Sequence, residues 1–297
     1  MSPGAEPLQL SVMDRPVAIE VGDPALRNAL AEAYAAWLPA GSPDGPPIRI
    51  KLEATGGAGD AADLRVQVEG RRLSLEGAGV QGSADADALT AACRFPRELA
   101  GEVADTLLLF LIARSGRIPL HAAGVLIGRT ALLLAGASGS GKSSLSLAAM
   151  ARGLRILSDD TVYIQLQPRL RIWGFPRPVH VFPADAPGFT GKTRLRAGKL
   201  KAAVPMPLSP DPPVADRAIV VLLERGEGVA LASAEPAVAT AALSRLEPGF
   251  DLLAEESARA IAAVMAPGAW RLTLGRDPAE AIEALMGSLA QDQTEPL

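Results

Sequence analysis

Gly136-Ala-Ser-Gly-Ser-Gly-Lys-Ser143 is a complete Walker A phosphate loop, and the apolar run Thr130-Ala-Leu-Leu-Leu-Ala135 before it reads as the buried strand that feeds such a loop. Glycines let successive backbone N–H groups turn inward around phosphates, and a helix starting near Lys142 adds its positive end. Lys142 is expected to reach the β- and γ-phosphates, with the Ser143 hydroxyl on Mg²⁺. The expected nucleotide contacts are Gly136, Ala137, Ser138, Gly139, Ser140, Gly141, Lys142, Ser143 and Ser144.

The residues after the loop continue the pattern. Ser144 to Arg152 carries apolar residues at helical spacing and stops at Gly153, a good left-handed terminus. Leu154-Arg-Ile-Leu157 then reads as a short strand ending in Ser158-Asp159-Asp160. In a βαβ unit the returning strand ends on the same edge as the phosphate loop, so both aspartates are expected at the phosphates, seventeen residues after Lys142. Such a pair divides two tasks, one carboxylate holding Mg²⁺ and the other accepting a proton from an attacking hydroxyl. Upstream, Ile118 to Ile127 reads as one strand joined through Gly128-Arg129 to the strand of the loop, and it carries His121, one of two histidines in the chain.

Leu120-His121-Ala-Ala-Gly-Val125, the loop Gly136–Ser143 and Leu157-Ser-Asp-Asp160 together resemble the catalytic core of HPr kinase/phosphorylase and its HPr-kinase-related relatives, distant cousins of phosphoenolpyruvate carboxykinase. The resemblance implies an α/β fold, a P-loop kinase core preceded by an N-terminal α+β domain, and ATP with Mg²⁺ as cofactors. It also implies that His121 pairs with Asp159, that Asp159 is the base toward a serine hydroxyl, and that Asp160 helps Ser143 hold the metal. Lys142 is the third catalytic residue. The Glu-x-Arg-Gly-x-Gly stretch of the bifunctional enzymes is missing from Leu170–Pro183, which argues against a reverse, phosphorolytic reaction. The Phe175-Pro-Arg-Pro178 segment instead resembles the shorter kinase-related proteins, some of which phosphorylate a serine of lasso peptides. The implied partner is a peptide or protein acceptor with a serine hydroxyl. A small-molecule kinase shares every core residue, and a regulatory ATPase would need the loop but no base.

Composition is consistent with this. The 297-residue chain can bury a substantial core, and its net charge of −4 argues against nucleic acid as the main partner. Cys93 is the sole cysteine, so no internal disulfide forms. The N-terminus lacks the features of a signal peptide, and the longest apolar stretch, Leu107–Ala113, has seven residues against the roughly twenty of a membrane span. The expectation is a cytoplasmic protein with no membrane partner, compatible with assembly as a homo-oligomer.

Residues 1–96 are expected to form the N-terminal domain, for substrate recognition, 97–290 the ATP-binding kinase domain, and 291–297 a disordered tail. Strands are expected at Leu8–Met13, Val17–Val21, Ile48–Leu52, Leu64–Val68 and Leu73–Leu75, with Pro39–Pro47 and Gly56–Asp63 as loops. Asp23-Pro24 starts a helix whose Leu26, Leu30, Tyr34 and Trp37 share a face, and Arg97–Arg114 is a second helix. Beyond the core, Ala218–Leu223 and Trp270–Leu274 read as strands, and Pro236–Leu246, Glu255–Met265 and Pro278–Leu289 as helices. Gly188 to Lys201 is a basic island with five cations and three glycines, expected to be a mobile loop that closes over the triphosphate or captures an acidic substrate. Lys192, Arg194 and Lys199, with Arg177, are its candidate substrate contacts.

Overall fold

A computed structural model describes residues 6–38, 45–57, 59, 63–137, 139–183, 191, 193–196, 199–207, 209, 211–244 and 253–292. The chain is mixed α/β with several sheets, and its contacts divide it into Met1–Arg117 and Ile118–Leu297.

The first unit contains β1 (Leu8–Val12), β2 (Arg15–Val21), α1 (Pro24–Ala33), β3 (Ile48–Thr55), β4 (Arg65–Glu69), β5 (Arg72–Gly77), β6 (Val80–Asp85), β7 (Thr90–Pro96) and α2 (Ala100–Ala113). One sheet takes all seven strands, in the order β1-β2-β3-β7-β6-β5-β4. Helix α1 starts where the sequence says, because Asp23 accepts from Ala25 N at 2.9 Å and Leu26 N at 3.2 Å, and Pro24 has no N–H to leave unsatisfied. Leu26, Leu30, Tyr34 and Trp37 are all buried. Helix α2 packs on β3, β6 and β7 through a face that includes Val103, Leu107 and Leu111, each fully buried. That packing keeps residues 97–117 with the first unit, whereas a boundary at residue 96 was expected to send them into the second. Strands β6 and β7 have no counterpart in the sequence reading: their Gly, Ser and Ala content weakens the strand pattern. The loop expected over Pro39–Pro47 lies mostly outside the described residues.

The second unit contains β8 (Ile118–His121), β9 (Ala123–Ile127), β10 (Thr130–Ala135), α3 (Lys142–Ala151), β11 (Arg155–Ser158), β12 (Thr161–Gln165), β13 (Arg171–Trp173), β14 (Val179–Val181), β15 (Thr193–Arg196) and β16 (Lys199–Val204). It continues with β17 (Val214–Ala215), β18 (Arg217–Arg225), β19 (Ala230–Ser233), α4 (Pro236–Leu243), α5 (Ala254–Met265), β20 (Ala269–Leu274) and α6 (Pro278–Asp292). Its central sheet has the order β11-β9-β10-β18-β20-β19, beside a four-stranded sheet β17-β13-β12-β8 and a three-stranded sheet β14-β16-β15. Every residue of β10 is buried, as a strand covered on both faces requires. Leu132 and Leu134 pack in one cluster with Leu145 of α3 and Leu285 of α6. Leu133 packs in the opposite cluster, with Ile261 of α5 and with Leu120 and Val162 of the second sheet.

Three expectations are corrected here. Ile118–Ile127 is two strands, not one: the chain breaks at Ala122, and β8 and β9 enter different sheets. The basic island is a hairpin of β15 and β16 rather than a loop, with Arg194 opposite Lys201 and Arg196 opposite Lys199. Residues 184–190, 192, 197 and 198, part of the segment expected to close, lie outside the described residues. Helix α6 continues through Asp292, into what was expected to be the tail, and 293–297 lie outside the described residues.

Gly174 supplies a test of the packing beneath the aspartates. A methyl group there would fall on the carbonyl oxygen of Leu157, which is backbone and cannot rotate away. Gly174→Ala is expected to cost about 1–3 kcal/mol through overpacking, read as a lower midpoint in thermal or urea unfolding. An unchanged midpoint would contradict this packing.

Candidate phosphate and acid–base site

The loop between β10 and α3 takes a shape that its glycines permit. Gly136, Gly139 and Gly141 have φ of +151°, +83° and +110°, backbone that other residues adopt only with strain. Gly141 is the N-cap of α3 and brings no capping side chain, so the first N–H groups of the helix remain available to an anion. Lys142 folds back over the loop, donating from Nζ to Gly136 O at 2.8 Å and to Ala137 O at 3.4 Å. Ser140 Oγ is buried beside Gly136 and has no hydrogen-bond partner among the described residues. Ser138 lies outside the described residues.

Strand β11 is antiparallel to β9, which is antiparallel to β10. β11 therefore runs with β10, and its carboxyl end emerges on the edge that carries the loop. Asp159 follows directly. Its Oδ2 accepts from Ser143 Oγ at 3.2 Å and from His180 N at 3.0 Å, while its buried Oδ1 has no hydrogen-bond partner among the described residues. Burial raises the Asp159 pKa above the usual carboxylate value, opposed by the His180 N–H and the Ser143 hydroxyl. The neighbouring Asp160 charge adds to the rise, and Lys201 counters it.

Asp160 has a different setting. It precedes β12, whose first residue Thr161 stands opposite His121 of β8. His121 Nδ1 lies 3.6 Å from Asp160 Oδ1, with the histidine side chain 20% exposed and the aspartate side chain 55% exposed. The structure thus distributes the two aspartates the other way round from the expected pairing: Asp159 belongs to Ser143, and Asp160 to His121. The cause is topological, since Asp159 ends a strand of the central sheet whereas Asp160 opens a strand of the sheet that contains His121. Ser158 Oγ fastens the turn between them by accepting from Thr161 N at 3.3 Å.

The candidate substrate residues are dispersed. The guanidinium of Arg177 lies 4.3 Å from the centre of the Phe175 ring and donates to Pro176 O at 3.1 Å. Arg194 is in β15 and Lys199 in β16, and Lys192 lies outside the described residues. The His180 N–H bonded to Asp159 and the Lys201 charge that acts on it were not legible, because no spacing in the sequence ties β14 and β16 to the end of β11.

Oxygen donors fit a hard divalent cation such as Mg²⁺. Asp159 Oδ1 is a buried acceptor without a donor, and Ser143 Oγ lies on the other oxygen of the same carboxylate. Groups of three or more His, Cys, Asp or Glu able to form an all-protein metal site do not occur among the described residues. Any such ion would complete its shell with ligand oxygens.

No protein-family model matches the chain, and no curated protein matches its sequence. Among solved structures, the HPr(Ser) kinase/phosphatase from Coxiella burnetii is matched over 60% of this chain and 99% of that chain, with 13% sequence identity and a TM-score of 0.30. No helix among the described residues is long and apolar enough to cross a membrane.

The raised pKa of Asp159 has a definite sign in stability. A carboxyl group that holds its proton more tightly when folded contributes stability below its unfolded pKa of about 3.9, and that contribution is lost as pH rises through the folded value. Without ligands, Asp159→Asn should therefore unfold at a higher temperature than the unmodified protein at pH 7, and the gap should close as pH falls toward 4. A gap of the opposite sign at pH 7 would mean that the carboxylate is stabilised by its surroundings rather than penalised by them.

Proposed function

We propose that this chain is an ATP-dependent phosphotransferase that moves the γ-phosphoryl group to the hydroxyl of a serine in a peptide or protein, with a ribosomally made peptide such as a lasso peptide as the acceptor class. The observation that carries the reading is the meeting, on one edge, of a phosphate loop with two carboxylates in unlike surroundings. Asp159 is desolvated and turned to Ser143, whereas Asp160 is open and turned to His121.

Each residue then has a role set by its position. Backbone N–H groups of Gly139 to Ser143 and the start of α3 receive the phosphates, and Lys142 gives up its carbonyl partners for phosphate oxygens of higher charge. Asp159 and Ser143 would hold Mg²⁺, which when bound neutralises charge on the phosphate oxygens. Asp160 takes the proton of the acceptor hydroxyl as its oxygen bonds to the γ-phosphorus. The bond from that phosphorus to the bridging oxygen breaks, and ADP leaves. His121 orients the Asp160 carboxylate by contact at Nδ1. Catalysis by such parts is mainly positioning and charge stabilisation, with the base worth about 10²–10⁴-fold.

Lys142→Ala tests nucleotide binding. A ligand at a hundred times its Kd stabilises a protein by about 2.7 kcal/mol, so Mg-ATP should raise the melting temperature of the unmodified chain and do so weakly or not at all in the variant. An equal rise in both would remove the phosphate-loop assignment.

A pair of variants separates the two carboxylates. Asp160→Asn keeps shape but cannot take a proton, and should bind Mg-ATP while transfer to a serine peptide falls about 10²–10⁴-fold. Asp159→Asn should raise the Mg²⁺ concentration needed for half-maximal rate. If transfer at saturating Mg²⁺ instead survives in Asp160→Asn and is lost in Asp159→Asn, the base is Asp159.

A further inference from the structure

We propose that Arg225 is a positioning residue that grips the nucleotide on the side of the loop away from the aspartates, at the α- and β-phosphates; this rests on the phosphotransferase reading above. Strand β18 runs parallel to β10, and their register ends with Ala135 opposite Leu222. Where β10 gives way to the loop, β18 continues through Leu223 and Glu224 to Arg225. Arg225 therefore stands past the end of β10, alongside the loop, while still paired with Leu274 of β20. Residues two apart share a face of a strand, and Val221 and Leu223 pack in the cluster that contains Leu145 of α3. Arg225 falls on that same face, toward the start of α3.

Its guanidinium lies against Gly141. A Cβ built on that glycine would be 2.8 Å from Leu274 Cδ1, 3.1 Å from Arg225 Nη2 and 3.3 Å from Arg225 Cζ, so the guanidinium lies close over the N-cap of α3, where the φ of +110° already requires glycine. The position is fixed at its base, since Gly226 N donates to Leu274 O at 3.0 Å immediately after the strand. Arg225 is exposed and makes no salt bridge among the described residues. Gly141, which it lies against, is the N-cap of α3 and directly precedes Lys142. A third positive group there is unfavourable on its own, and an anion removes the conflict.

The sheet order says which part of the anion it meets. Asp159 and Asp160 follow β11, two strands from β10 on one side, while Arg225 ends β18, the next strand on the other. A triphosphate lying over the loop with its γ-phosphoryl toward the aspartates carries its α-phosphate toward β18. The planar fork of Arg225 suits two oxygens of that segment. Because these phosphates do not react, the contact serves binding.

The test compares Mg-ATP and Mg-ADP binding by calorimetry in the unmodified chain, Arg225→Ala and Arg225→Lys, each first checked for its melting temperature without ligand. Arg225→Ala should weaken ATP and ADP by a similar factor, about tenfold or more, and Arg225→Lys should recover part of it as a point charge. In transfer assays the loss should fall on KM for ATP more than on kcat. A loss confined to ATP would assign Arg225 to the γ-phosphate and overturn the proposal, as would unchanged affinity for both nucleotides. Failure of the underlying reading looks different: the unmodified chain would then bind neither nucleotide, or Lys142→Ala would bind both as well as the unmodified chain does.

Discussion

The chain of the second unit steps between two sheets twice at the same place. It leaves β8 for β9 across Ala122, and it leaves β11 for β12 across Asp159 and Asp160. β8 pairs with β12 and β9 with β11, so the two crossings are locked side by side by ladders on both flanks. A polar turn between two buried strands is ordinarily free to choose its geometry. Here Gly124 leaves no room to choose, because a side chain at that position would press into Val162 and Leu157 on either side of the turn. The location of His121 and the division of the aspartates follow from this one constraint.

Burial alone makes two adjacent carboxylates different. Asp159 follows a strand whose residues Ile156 to Ser158 are buried, and its buried Oδ1 has no donor among the described residues. Asp160 opens onto solvent beside an imidazole. A desolvated carboxylate with an unused oxygen costs stability in the protein alone and gains most from a cation, whereas an exposed one loses little and stays available to a proton. Strain of this kind persists only where the surroundings over-determine it. The surroundings here are the fully buried β10, packed on both faces, and the main-chain N–H of His180.

Much of this was legible in the sequence for a reason that lies in the elements concerned. Strand β10 and helix α3 announce themselves through an uninterrupted apolar run, a glycine pattern and a terminal Gly153, all local signals. The loop residues were placed for the same reason. Long-range pairing was the part that could not be read. Ile118–Ile127 looks like one strand because nothing in its residue types marks the break at Ala122. That break is fixed by which sheet each half joins. The role of each aspartate depends on the same non-local choice, so adjacency in sequence gave no means of telling them apart. The strands of the basic island were hidden by three glycines that signal turns. Arg225 was hidden for another reason: an arginine that ends an apolar strand has the ordinary reading of a solvated edge, and only the parallel register with β10 brings it to Gly141.

Charge around the glycine loop before α3 is also unevenly distributed. Lys142 donates to two carbonyl oxygens of the loop, and Lys201 has its Nζ 5.6 Å from the centre of the Phe182 ring while its charge also acts on Asp159. Neither aspartate makes a bidentate ion pair with an arginine or lysine among the described residues. A desolvated carboxylate and a lysine that donates to neutral carbonyls would each gain more from a charged ligand, so phosphate and a divalent cation would offset the cost of both together. Either component alone would relieve half of the conflict. Under the proposed function an anion and a cation would be bound jointly, because Lys142 and Ser143 at the start of α3 meet Asp159, which follows β11, on one edge of the central sheet.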